Sequence, residues 1–246
     1  MQSYAESGRV VLKVPHEGRV TSLHIARVEQ LAPCDAAGIL DGSSDLTGLM
    51  LWPAAEALAH LIATEPDKWR GKTVLELGAG VGLVGLVASL FCGQVLITDG
   101  EEEVISMIEE NLQANKDALP EASRVRCCSL DWTEDLDAWK AKHDCSSFDV
   151  IVGSDIIYSF EALPALFTVV QGLLAHTADA HFLVLYSSRG KRLDDRLPEV
   201  AAAHGFDCSV AMHLPPHATT APPSASDDQS PDEPMRLCTF TRKTRA

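Results

Sequence analysis

The segment Val74-Leu-Glu-Leu-Gly-Ala-Gly-Val-Gly-Leu-Val-Gly85 constrains the fold of this chain more than any other. A short apolar strand runs into a glycine-dense turn, and helix-forming residues follow. Such a strand–turn–helix unit belongs to an α/β sheet, and its turn lies where open sheets of this kind bind small ligands. The rhythm then repeats. TVLEL (73–77), QVLIT (94–98), RVRCCSL (124–130), FDVIVG (148–153) and HFLVLYS (181–187) read as strands. Helical segments follow them at 83–91, 102–115, near 135–142, 160–174 and 193–204. Strands alternating with helices imply a doubly wound, mostly parallel sheet. FDCSVAMHL (206–214) and MRLCTFTRK (235–243) are two further strands with no helix between them, so they must pair antiparallel.

The flanks differ in character. VVLKV (10–14) and SLHIAR (22–27) alternate apolar and polar residues around a turn, the pattern of a β-hairpin. Residues 32–47 read as a loop, and Pro53 is placed to open a helix through Thr64. The expected division is an extension over 1–46 and a main domain over 47–246. Residues 215–234 hold six of the thirteen prolines and four acids, which marks an insertion loop rather than a domain boundary.

Composition excludes several functions. Twenty basic residues against thirty-five acidic ones give a net charge of −15, which repels a phosphate backbone, so no nucleic-acid partner is expected. The seven cysteines form no C-x-x-C pair and read as reduced thiols. The nine histidines show no ligand spacing, so no metal is expected. No secretory signal is visible, and the apolar run from Val74 to Phe91 contains Glu76 and four glycines, which suits a buried strand and helix rather than a membrane span. The expectation is a monomer in the cytoplasm, with the nucleus as an alternative, and no membrane contact. Neither G-x-S-x-G nor a phosphate-binding G-x-x-x-x-G-K-[ST] occurs.

The glycine turn has two functional readings. Gly80, Gly82 and Gly85 satisfy G-x-G-x-x-G, the dinucleotide fingerprint, but there the first glycine follows directly on the strand. Here Gly78 comes first and Glu76 lies inside the strand end. That order is similar to the S-adenosylmethionine loop of class I methyltransferases, with Glu76 expected to face the cationic end of the cofactor. Asp99, closing the second strand, suits either cofactor because a carboxylate can accept from two ribose hydroxyls. At the other strand ends stand Asp131-Trp132 and Gly153-Ser154-Asp155-Ile-Ile-Tyr158. An indole at Trp132 can pack on adenine, and Asp131 can accept from its exocyclic amine.

Asp155-x-x-Tyr158 resembles the D-x-x-Y motif of the seven-strand protein-lysine methyltransferases (methyltransferase family 16, the methyltransferase-like 21 group). The resemblance covers roughly residues 45–190, and its motifs fall in family order. T-G-L-M-L-W-P (47–53) matches the upstream Trp-Pro segment, and L-E-L-G-A-G-V-G-L-V-G matches the cofactor loop. The resemblance implies a Rossmann-like class I methyltransferase fold of seven strands with an antiparallel C-terminal strand and an N-terminal β-hairpin. It also implies S-adenosylmethionine as cofactor, contacted by Trp52, Gly78, Ala79, Gly80, Asp99, Trp132 and Ser154, the last at a position usually occupied by Ala or another small residue.

The implied reaction is methyl transfer to a lysine ε-amine of a protein substrate. Asp155 would orient the amine and Tyr158 would wall its channel. Other readings stay open: an arginine or small-molecule acceptor, an NAD-dependent oxidoreductase, or a module that binds without catalysis. The insertion at 215–234 departs from the family pattern and bears on substrate choice.

Overall fold

A computed structural model describes residues 2–6, 8–16, 18–29, 46–119, 124–214 and 235–243. The insertion at 215–234 and most of the loop at 32–47 lie outside the described residues.

The chain opens with β1 (Gln2–Glu6), β2 (Arg9–His16) and β3 (Arg19–Ala26). These form a three-stranded antiparallel sheet in the order β1-β2-β3. The expected hairpin is therefore present as β2–β3 and gains an outer strand. QSYAE contains no apolar alternation, so the edge strand left no signal in the pattern. A 3-10 turn, Leu46–Leu49, leads to α1 (Pro53–Thr64) and the one-turn helix α2 (Pro66–Trp69).

The main domain then alternates: β4 (Thr73–Leu77), α3 (Leu83–Ala88), β5 (Gln94–Asp99), α4 (Glu102–Asn115), β6 (Val125–Ser129) and α5 (Leu136–His143). It continues through β7 (Val150–Ser154), α6 (Ala162–Leu173), β8 (His181–Ser187) and α7 (Lys191–Ala203), and closes with β9 (Phe206–Leu214) and β10 (Met235–Arg242).

The sheet order is β6-β5-β4-β7-β8-β10-β9. All its pairings are parallel except those of β10, which runs antiparallel between β8 and β9. The order reverses between β4 and β7, so the crevice at that switch point collects the C-terminal ends of β4, β5 and β7.

Both faces of the sheet are covered, as a parallel sheet requires. Along β4, Val74 joins one apolar layer with residues of α1, α3 and α4, while Leu75 and Leu77 join the other with α5, α6 and α7. The N-terminal sheet inserts Leu12, Val14, Leu23 and Ile25 into the first layer.

Its position is set by two asparagines of α4. Asn115 Oδ1 accepts from the His24 N–H at 2.7 Å, and its Nδ2 donates to the His24 carbonyl at 2.8 Å. Asn111 does the same for Ala26 at 2.7 and 3.1 Å, and its amide also donates to the Val81 carbonyl at 2.9 Å. The two side chains substitute for a neighbouring strand along β3.

Candidate active site

At the C-terminal edge of the sheet lies a cleft of about 810 Å³. The turn after β4 forms its floor. Gly78 has φ +56° there, and a Cβ on it would stand 2.6 Å from Ile156 Cγ2, so both backbone conformation and space require glycine. Ala79 donates its N–H to the Thr98 carbonyl at 3.0 Å, tying the turn to β5. Gly80 donates its N–H to Asp99 Oδ2 at 2.9 Å, and Glu101 N–H reaches Asp99 Oδ1 at 3.4 Å. Asp99 thus lines the cleft beside the turn, its carboxylate tied to the backbone on both sides.

Ten of the eleven expected site residues line this one cleft: Trp52, Gly78, Ala79, Gly80, Asp99, Asp131, Trp132, Ser154, Asp155 and Tyr158. Glu76 does not. Its side chain is fully buried beneath the turn, where Oε2 accepts from the Gly85 N–H at 2.7 Å in the first turn of α3. A Cβ on Gly85 would stand 2.6 Å from that oxygen, so this glycine makes room for the acid. The expectation that Glu76 faces the cofactor is corrected on this ground. The parity of β4 turns it toward the α3 side of the sheet, away from the strand tip. Burial first, and then the charge of Asp99, push its carboxyl up to about 8, against the Gly85 N–H, which lowers it.

The remaining walls come from four places. Trp52 precedes α1 and donates Nε1–H to the Thr47 carbonyl at 3.1 Å. Trp132 lies beside Gly78, and Asp131 accepts from Thr133 N–H and Oγ1–H, both at 2.8 Å, which hold its carboxyl below the usual range. Ser154 is buried at the end of β7. Tyr158 stands at the opening, 52% exposed.

Asp155 is the most constrained of the group. It is a non-glycine residue in the left-handed region, at φ +53°. One carboxylate oxygen, Oδ1, accepts from the Ser187 N–H at 2.7 Å. The other, Oδ2, is buried and has no hydrogen-bond partner. Burial raises its pKa, opposed by the Ser187 N–H, the Arg189 charge and the N–H of Ala54 in the first turn of α1. A strained backbone that holds a buried, half-satisfied carboxylate in a cleft is the signature of a binding or reacting group.

Sequence reasoning missed the strap over the turn and the residue after β8. The Gly48 carbonyl lies 2.9 Å from where a Cβ on Gly80 would stand, so residues 47–51 cover the glycine turn. Arg189 lines the cleft and holds its guanidinium 5.5 Å from the centre of the Trp52 ring. The rule that ligands gather at strand C-terminal ends, applied to β8, would have found it.

A model of the lysine methyltransferase family matches residues 38–198, which is well over half of the chain. The chain belongs to the lysine methyltransferase family. It is 33% identical over 159 residues to the calmodulin-lysine N-methyltransferase of Arabidopsis thaliana, covering 63% of this chain and 51% of that protein. It is 31% identical over 167 residues to the EEF1A lysine methyltransferase 3 of Mus musculus, covering 68% of this chain and 62% of that protein. The chain thus spans between half and two thirds of the length of these curated relatives. The fold matches the magnesium protoporphyrin IX methyltransferase of Synechocystis, solved with bound S-adenosylmethionine, at a TM-score of 0.53 and 14% identity, over 77% of this chain and 78% of that one.

The residues present fit the cofactor of this family. Asp99, Glu101, Asp131, Asp155 and Glu161 line the cleft, and Arg189 is the one basic residue among the described lining residues. Such a lining suits a sulfonium cation with ribose hydroxyls and opposes a pyrophosphate, which disfavours the dinucleotide reading. Two indoles supply apolar faces for a base. Among the described residues no group of three His, Cys, Asp or Glu side chains could hold a metal ion, and no helix is long and apolar enough to cross a membrane.

Proposed function

We propose that this chain transfers a methyl group from S-adenosylmethionine to the ε-amine of a lysine in a protein substrate. One observation carries the reading: the half-satisfied carboxylate of Asp155, fixed by Ser187 in the cleft that the glycine turn and two indoles also line. S-adenosylmethionine, when bound, supplies an electrophilic methyl on a positively charged sulfur. Gly78, Ala79 and Gly80 give it backbone to lie on, Asp99 accepts from the ribose hydroxyls, and Asp131, Trp132 and Ser154 surround the adenine end. Trp52 closes the opposite side. Glu76 shapes the turn from below without touching the ligand.

The Asp155 carboxylate then accepts a hydrogen bond from the incoming amine and points the amine's lone pair along one line. Tyr158 forms a wall that admits a slender alkyl chain. A free lysine has a pKa of about 10.4, so presenting the neutral amine near pH 7 costs roughly 4–5 kcal/mol without help. Enclosure in the cleft lowers that cost by disfavouring the ammonium form. Every residue of this description belongs to one chain, so a monomer suffices. Six cysteines of the described residues are free thiols, which suits a reducing compartment such as the cytoplasm.

The test pairs two measurements. Asn tolerates the left-handed backbone better than Ala, so Asp155→Asn keeps the fold while removing the charge. Transfer of label from S-adenosylmethionine to protein in a cell extract should be lost, while cofactor binding by calorimetry stays within a few-fold. Mass spectrometry of the wild-type product should locate the label on lysine. Label on a small molecule or nucleic acid would overturn the reading.

A further inference from the structure

Asp155 creates a difficulty for the transfer it serves. A buried carboxylate beside the acceptor stabilises the ammonium, the form that has no lone pair to react. A group of opposite sign is needed near it, and the structure provides one. Ser187, at the end of β8, donates its N–H to Asp155 Oδ1 at 2.7 Å, and two residues later Arg189 enters the same cleft. Its guanidinium rests over the Trp52 ring at 5.5 Å. Trp52 is itself fixed by the Nε1–H to Thr47 carbonyl bond and by its place immediately before α1. Among the described residues Arg189 forms no ion pair with Asp155 within 4 Å, and Asp155 Oδ2 is buried without a hydrogen-bond partner. The indole therefore parks the cation near the carboxylate without quenching it.

We propose that Arg189 is a positioning residue that keeps the acceptor amine neutral: held on Trp52, it offsets the Asp155 charge, so the ε-amine releases its proton to solvent yet still donates a hydrogen bond to the Asp155 carboxylate. This rests on the reading of the cleft as a methyl-transfer site. The groups facing Asp155 are the Ser187 N–H of β8, the Ala54 N–H of α1 and the Arg189 charge. The other titratable side chains lining the cleft are Asp99, Glu101, Asp131, Tyr158 and Glu161. All of these except Tyr158 are acids that favour the ammonium, which leaves Arg189 as the one protein cation acting the other way among the described lining residues.

The test needs no identified substrate. Sinefungin carries an amino-bearing carbon in place of the methylated sulfur of the cofactor, whereas S-adenosylhomocysteine carries a neutral sulfur there. Their affinity ratio, measured by calorimetry at pH 8 on the full chain, reports how well the site tolerates an ammonium. Arg189→Met keeps an unbranched stem on Trp52 and removes the charge. It should shift the ratio toward sinefungin by about tenfold, the effect of one nearby charge. Arg189→Lys should leave the ratio near that of the unaltered chain. The two variants should unfold within a few degrees of the unaltered chain.

An unchanged ratio in Arg189→Met would overturn the proposal. So would an equal loss of both ligands, which would make Arg189 a cofactor-binding residue. If the unaltered chain bound neither ligand, the methyl-transfer reading would fall and this proposal with it. Binding of both with no response to Arg189 would remove the proposal alone.

Discussion

Replacing Glu76 by Gln tests how the glycine turn is built. The carboxyl is fully buried, Oε2 accepts from Gly85 and Oε1 has no partner. Burial pushes it from 4.5 up to about 8. At pH 7 it is then protonated by roughly ten to one. A carboxyl whose folded value lies above its unfolded one binds more protons when folded, so its contribution to stability is full below pH 4.5. That contribution is lost as pH rises through about 8. Between those limits the loss is about 1.4 kcal/mol per pH unit, or on the order of 5 kcal/mol in all.

An amide copies the protonated acid in shape and still accepts from Gly85, but it does not titrate. Glu76→Gln should therefore match the wild type within about 1 kcal/mol at pH 5, exceed it by roughly 2 kcal/mol at pH 6 and by on the order of 5 kcal/mol at pH 9, and show a flatter stability curve. Glu76→Ala should lie roughly 2–4 kcal/mol below Glu76→Gln at every pH, because the Gly85 N–H is left without an acceptor and a cavity opens. Urea denaturation at pH 5 to 9, with cofactor affinity by calorimetry at each pH, measures all three. Parallel curves for wild type and Glu76→Gln would refute the argument. A tenfold loss of cofactor affinity in Glu76→Gln with unchanged stability would instead show the acid reaching the cofactor.

Two shorter predictions concern the clamp and the adenine wall. Asn111→Ala removes one acceptor and two donations that join β3 to α4 and the glycine turn. It should cost roughly 2–4 kcal/mol, and amide exchange at Ala26 should speed up more than exchange in β4. Trp132→Ala should weaken cofactor binding by about 1–3 kcal/mol, the range for a base stacked on an aromatic ring. Thermal unfolding should move little, since the indole is only partly buried.

Much of this architecture was legible because a strand covered on both faces prints itself as a plain apolar run. HFLVLYS became β8 over His181–Ser187, and the α4 pattern became Glu102–Asn115 without a shift at either end. What lacked a periodic face was missed: β1, formed by QSYAE, and the single turn of α2. The same division runs through the site. That Trp52, Asp99, Trp132 and Asp155 would line one cleft was legible because each ends or follows a strand, or opens a helix at the same edge. Asn111 and Asn115 are ordinary polar residues on an apolar-faced helix, and nothing in spacing says that their amides pair with β3.

The two buried acids, Glu76 and Asp155, show where composition and motif stop and environment takes over. Each accepts one backbone N–H, and each has one buried oxygen without a partner. Each is raised above its ordinary value by burial. They differ in the company they keep. Glu76 meets only the negative charge of Asp99 and is driven toward the neutral acid, so it acts as packing that also holds a helix end. Asp155 meets the first turn of α1 and the charge of Arg189, both of which favour the anion. Asp155 also lines the cleft, whereas Glu76 does not. One acid is buried to be neutral and the other is buried while charge is brought to it, and the proposed amine acceptor is the second.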